Sequence, residues 1–131
     1  MMGGHTIKTW SSTQQAYALS SAEAELYGMI DGVTRSRGLV SLASELGCGK
    51  LSNVIKIATD SSAAKSFISR RGVGRMRHLA IRDLWLQKEV REGRVEVSKI
   101  PGIMNPADLM AKVLTLKEVE ARLTLVSMGM K

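Results

Sequence analysis

Cysteine is almost absent from this chain. Cys48 stands alone among 131 residues, which excludes an internal disulfide and leaves no companion thiol at metal-ligand spacing. Cys48 is read as incidental. Long apolar runs are also missing: none approaches the length needed to cross a bilayer, and the N-terminus lacks the basic-then-apolar pattern of a secretory signal. These absences predict an intracellular chain, cytoplasmic or nuclear, with no membrane partner. Aromatic residues make up only 4%, but apolar residues reach 44% and charged residues 24%, the composition of an ordinary globular protein rather than a disordered one. There is no internal repeat, low-complexity tract or interdomain linker. A chain of this length predicts one domain, able to bury roughly two-thirds of its unfolded surface.

Acidic residues are missing from two stretches. Residues 1–22 contain none, and neither does "RRGVGRMRHLAIR", residues 70–82, which holds Arg70, Arg71, Arg75, Arg77 and Arg82. These five arginines account for most of the net charge of +7. A concentrated arginine patch around a glycine-containing bend suits the spaced negative charge of a phosphate backbone. A solvated loop made basic for solubility is the alternative.

The apolar pattern alternates between element types. "TIKTWSS" (6–12) has the composition of a strand, and "AYALS" can continue extended structure. A long helix is predicted from Ser20 or Ser21 to Gly47, with Leu26, Met29, Ile30, Val33 and Val40 along one side. "NVIKIATD" (53–60) reads as a buried strand ending at Asp60. "SSAAKSFISRR" restarts a helix. After a bend at Gly72 and Gly74, another helix carries Leu79, Ile81, Leu84, Trp85, Leu86 and Val90 and closes at Gly93. "RVEVSKIPG" (94–102) alternates as a half-buried strand does, and a last helix opens at Asn105 and Pro106 and runs through Leu109, Leu116 and Val119. This order predicts an α/β domain in which the crossover between Asp60 and Arg94 lets strands 54–60 and 94–100 lie parallel and adjacent.

Two glutamates lie two positions apart in "SSAEAEL" (20–26). Ser20 and Glu23 have capping-box spacing, so Glu23 can reach back to the cap amide while Ser20 satisfies an amide of the first turn. Glu25 lies about 200° further around the helix and cannot share that role. Asp60 sits at a strand end before a helix, where an open α/β sheet places its chemistry, and Asp108 follows "NPA" in a first helical turn. Each has a structural alternative: a helix cap for Asp60, a favourable helix-terminus charge for Asp108 and a solubilising surface charge for Glu25. Together the three could converge on a hard divalent cation, Mg²⁺ or Mn²⁺, of the kind that activates water in phosphodiester hydrolysis.

The segments "SSAEAELYGMI", "IATDSSAA", "RMRHLAIRD", "EGRVEVSKIPG" and "NPADLMAK" occur in the order and at about the spacing of the ribonuclease H region ending the polyprotein of copia-type long-terminal-repeat retrotransposons. The chain resembles that family over nearly all of residues 4–115. The resemblance implies a ribonuclease H-like mixed sheet flanked by helices, and Mg²⁺- or Mn²⁺-dependent hydrolysis of the RNA strand of an RNA–DNA hybrid. It implies catalytic and metal-binding roles for Glu25, Asp60 and Asp108, leaving Glu23 as the cap. His78 resembles a family position near the basic bend; a packed histidine fits it as well as a catalytic one. His5 lies outside the matched acidic motifs.

The chain departs from the family at its start. The family's first catalytic aspartate lies upstream of the segment resembling "GGHTIKTWSSTQQ", so the resemblance implies a domain lacking its first strand and most of its second. The expected organisation is a single partial domain: a strand region at 1–19, a core at 20–115, and a C-terminal helix and tail at 116–131. Weak metal binding and little activity are expected of the chain by itself, with an upstream reverse-transcriptase segment of the polyprotein as partner. The alternative is a non-catalytic nucleic-acid-binding or decayed transposon-derived domain that uses the arginines without chemistry.

Overall fold

Ser20 has the extended backbone of a helix cap, and its hydroxyl accepts the Glu23 amide at 3.2 Å. Helix α1 therefore begins at the predicted place and runs Ser21–Glu45. It ends where Gly47 takes a positive φ of 72°, a conformation open to glycine at little cost. The computed structural model describes residues 6–14, 17–48, 51–72, 84–110 and 112–126. Further along are β1 (Ile55–Thr59), α2 (Ser62–Ser69), α3 (Trp85–Arg91), β2 (Val95–Lys99) and α4 (Leu116–Leu125). This is a mixed α/β architecture. Among the described residues, no helix is long and apolar enough to cross a membrane.

The chain divides into two compact units, residues 14–99 and residues 1–13 with 100–131. In the larger unit β1 and β2 pair in parallel, Ile55 opposite Val95 through Thr59 opposite Lys99, as the crossover argument predicts. Two strands are marginal by themselves, and helices must supply the packing. Leu26, Met29 and Val33 of α1, Ala64, Phe67 and Ile68 of α2, and Leu86 of α3 close over Ile55 and Val95 in one core.

β1 buries Ile55 and Thr59 with Ile57 half-buried between them, so the expectation of a buried strand at 53–60 is corrected: Lys56 and Ala58 are exposed. The β-branched content that suggested a wholly buried strand fits a half-buried one equally well. Only the first part of α1 contributes buried residues, the last being Val33.

Polar side chains from α3 complete this unit. Glu89, buried to 3% exposure, takes both nitrogens of a bidentate pair from Arg94 at 2.9 Å and a further ion pair from Arg37. Arg37 in turn lies over the Trp85 ring, 5.0 Å from its centroid. One carboxylate thus ties α1 and the start of β2 to α3.

In the smaller unit, Asn105 accepts the Ala107 amide on its side chain at 3.1 Å, as a cap does. The predicted long last helix does not follow. Residues 106–110 form a 3-10 turn, residues 112–115 are irregular, and α4 begins afresh at Leu116. The reason is a capping box: Thr115 and Glu118 bond reciprocally, as S/T-x-x-E spacing allows. The Thr115 hydroxyl and amide hold the Glu118 carboxyl below its ordinary pKa. Arg122 is buried and donates to the carbonyls of Asn105 and Glu118. The Thr6 hydroxyl donates to the Val126 carbonyl at 2.5 Å.

Residues 6–14 form no strand, contrary to expectation. Their β propensity has no ladder partner among the described residues, and propensity without pairing does not make a strand.

Packing sets a contrast between two chemically identical changes. Ile68→Val, at a core position with 1% exposure, should cost roughly 0.5–1.5 kcal/mol, whereas Ile7→Val, at 52% exposure, should cost almost nothing. Urea denaturation checks this; equal costs would show that the core lies elsewhere.

Candidate functional site

The two helix starts in the larger unit sort their acids into different roles. Glu23 is almost fully buried. Its carboxylate accepts the Leu19 amide at 2.9 Å and the Tyr27 hydroxyl at 2.8 Å. It therefore holds the amide one residue before the cap, rather than that of Ser20 as capping-box spacing suggested, and braces the helix one turn along as well. Glu25, two residues on, is exposed.

Asp60 leaves the C-terminal end of β1. It does not cap α2, because Ser61 accepts the Ala64 amide at 3.1 Å and supplies that cap. The Ser61 amide bonds to the Thr59 hydroxyl, also at 3.1 Å, so the chain around Asp60 is held on both sides by its neighbours. Lys99 lies opposite Thr59 in the ladder, and its ammonium reaches the Ser62 hydroxyl. Lys99 is a cation at the carboxyl ends of the strands that sequence reasoning did not single out. The strand register carried the signal, since it sets Lys99 beside Thr59.

Asp108 lies in the smaller unit, with 8% of its surface exposed. Lys112 pairs with it at 3.0 Å, and Arg122 stands 3.9 Å away. Its position in the first turn is as expected, but the element is a 3-10 turn rather than an α-helix.

Arg70 and Arg71 are exposed where α2 ends. Arg75, Arg77 and Arg82 lie outside the described residues, as do His5 and His78. A hollow of about 370 Å³ in the larger unit is lined by Arg37, Ser41, Ser44 and Asn53 among others, and includes neither Glu25 nor Asp60.

Carboxylate oxygen is the donor type a hard divalent cation takes. The arrangement does not by itself fit one: within either unit, no three His, Cys, Asp or Glu side chains stand together as ligands among the described residues.

Over 125 residues, 95% of the chain is 29% identical to the retrovirus-related Pol polyprotein from transposon TNT 1-94 of Nicotiana tabacum. The chain spans 9% of that protein's length. No family model and no solved structure matches. The chain is thus homologous to part of a retrotransposon Pol polyprotein.

Calorimetric titration of the full chain with Mn²⁺ should show binding no tighter than about 1 mM, weakened further by Asp60→Asn. Sub-millimolar binding that Glu25→Gln, Asp60→Asn and Asp108→Asn all leave unchanged would assign the ion to other residues.

Proposed function

We propose that the chain is the ribonuclease H region of a copia-type Pol polyprotein and contributes there to hydrolysis of the RNA strand of RNA–DNA hybrids. The observation that carries this reading is the freeing of Asp60 from the capping role. Ser61 caps α2, so a carboxylate remains at the carboxyl end of a strand in a parallel pair, where α/β sheets place their chemistry. The similarity to a Pol polyprotein along nearly the whole chain supports the coarser part of this reading, a retrotransposon Pol origin.

Each residue then has a task. Asp60 and Glu25 supply negative oxygens that can orient an attacking water. Asp108, paired with Lys112 in the smaller unit, is the third acid to which we assign a role. Arg70 and Arg71, with Arg75, Arg77 and Arg82, hold the phosphate backbone in register without reading sequence. Mg²⁺ or Mn²⁺ is the cation we assign to the carboxylates in the assembled polyprotein, where it would polarise water and steady the leaving oxygen. The reverse-transcriptase segment of the polyprotein is the partner we assign. A ribonuclease H-like sheet, larger than the two strands described, belongs to the same proposal.

A cleavage assay tests it. The chain alone should cut an RNA–DNA hybrid negligibly, because a misplaced nucleophile loses orders of magnitude in rate. Joining it to the upstream segment of a related Pol polyprotein should produce Mg²⁺-dependent cleavage of the RNA strand, and Asp60→Asn should abolish it. Robust cleavage by the chain alone would show the site is elsewhere. A folded chimera that binds hybrid without cutting it would favour a binding-only domain.

A further inference from the structure

Gln87 is a polar residue with 2% exposure in the first turn of α3, beside the fully buried Leu86. Its amide nitrogen donates to the carbonyl of Phe67 at 2.9 Å and to that of Gly72 at 3.0 Å. Its amide oxygen accepts the Gly72 N–H at 3.0 Å. One side chain thus grips the chain on both sides of Arg70 and Arg71. The sense of the amide is set by its partners, since a flipped group would put a donor against an N–H and an acceptor against two carbonyls.

The backbone between the two grips is sharply turned. Arg70 is extended at the α2 terminus, with φ −100° and ψ 179°, and its own amide reaches Phe67 only at 3.4 Å. Gly72 has φ of 77°, a left-handed conformation in which a side chain is strained. Gln87 satisfies both backbone groups of that glycine and the Phe67 carbonyl of the last turn of α2. The Arg70 guanidinium meanwhile lies 5.1 Å from the Phe67 ring centroid, stacked on a buried anchor. In that pose its N–H edges can point along the plane, as phosphate recognition requires.

We infer that Gln87 is a positioning residue, which presents Arg70 and Arg71 to the phosphate backbone of a nucleic-acid duplex. The inference rests on the nucleic-acid reading above and adds to it the device that orders the first two arginines before binding. Pre-ordered side chains lose less freedom on contact, so affinity rises without any added charge.

Fluorescence anisotropy of the full chain with a labelled RNA–DNA hybrid, across a salt series, separates presentation from charge. The double change Arg70→Ala, Arg71→Ala should flatten the slope of log affinity against log salt by about one unit per arginine lost. Gln87→Met, similar in shape but without the amide, should lower affinity about tenfold at every salt concentration and leave the slope unaltered. Gly72→Ala attacks the same grip from the other side: among the described residues nothing lies within 4 Å of its new Cβ, but its φ is strained. It should reproduce the Gln87→Met loss, and it carries the test if Gln87→Met fails to fold. Hydrogen exchange should show the Gly72 amide losing protection in Gln87→Met.

Folded variants that bind as tightly as the parent would overturn the inference while leaving the nucleic-acid reading intact. A parent chain with no salt-dependent binding would overturn both.

Discussion

The parallel ladder between β1 and β2 is the constraint on which the larger unit depends. Parallel neighbours cannot be joined by a tight turn, so the chain must cross over between Thr59 and Val95. That crossover carries α2 and α3, which cover the strands with Phe67, Ile68 and Leu86. It also sets the carboxyl ends of both strands side by side, and so Asp60 and Lys99 flank the start of α2. The carboxylate, the ammonium beside Ser62 and the arginines at the far end of α2 all owe their positions to one topological requirement.

Helix α3 supplies the specific ties that apolar packing cannot. Glu89 binds arginines from α1 and from the start of β2, and Gln87 binds backbone from the end of α2. Buried polar groups are costly unless they are fully partnered, so each fixes one arrangement of its neighbours rather than adding bulk stability. Two residues apart on one short helix, they divide the work: Glu89 holds the helices to the sheet, and Gln87 holds the exit of α2.

Much of this was legible in residues, for identifiable reasons. The β-branched runs at 54–60 and 94–100, separated by helical pattern, implied a parallel pair, and the Ser20–Glu23 spacing located the start of α1. Other features were hidden by competing signals. Ser61 is as good a cap as Asp60, and only the hydrogen bond from Ala64 distinguishes them. Thr115-x-x-Glu118 has the capping-box spacing recognised at Ser20, yet the apolar positions on either side concealed the break. Residues 6–12 have strand composition but pair in no ladder among the described residues. Gln87 and Glu89 were not singled out in the sequence, since burial of a polar side chain depends on distant partners that no local pattern records.

The central proposal is that the end of β1 and the end of α2 contact nucleic acid. Amide chemical-shift mapping of the isotope-labelled chain with a short RNA–DNA hybrid tests it most directly. The account predicts that shifts concentrate at residues 60–62, 70–72 and Lys99, and fade as salt is raised. Shifts confined to the C-terminal half of α1, or no shifts at low salt, would contradict it.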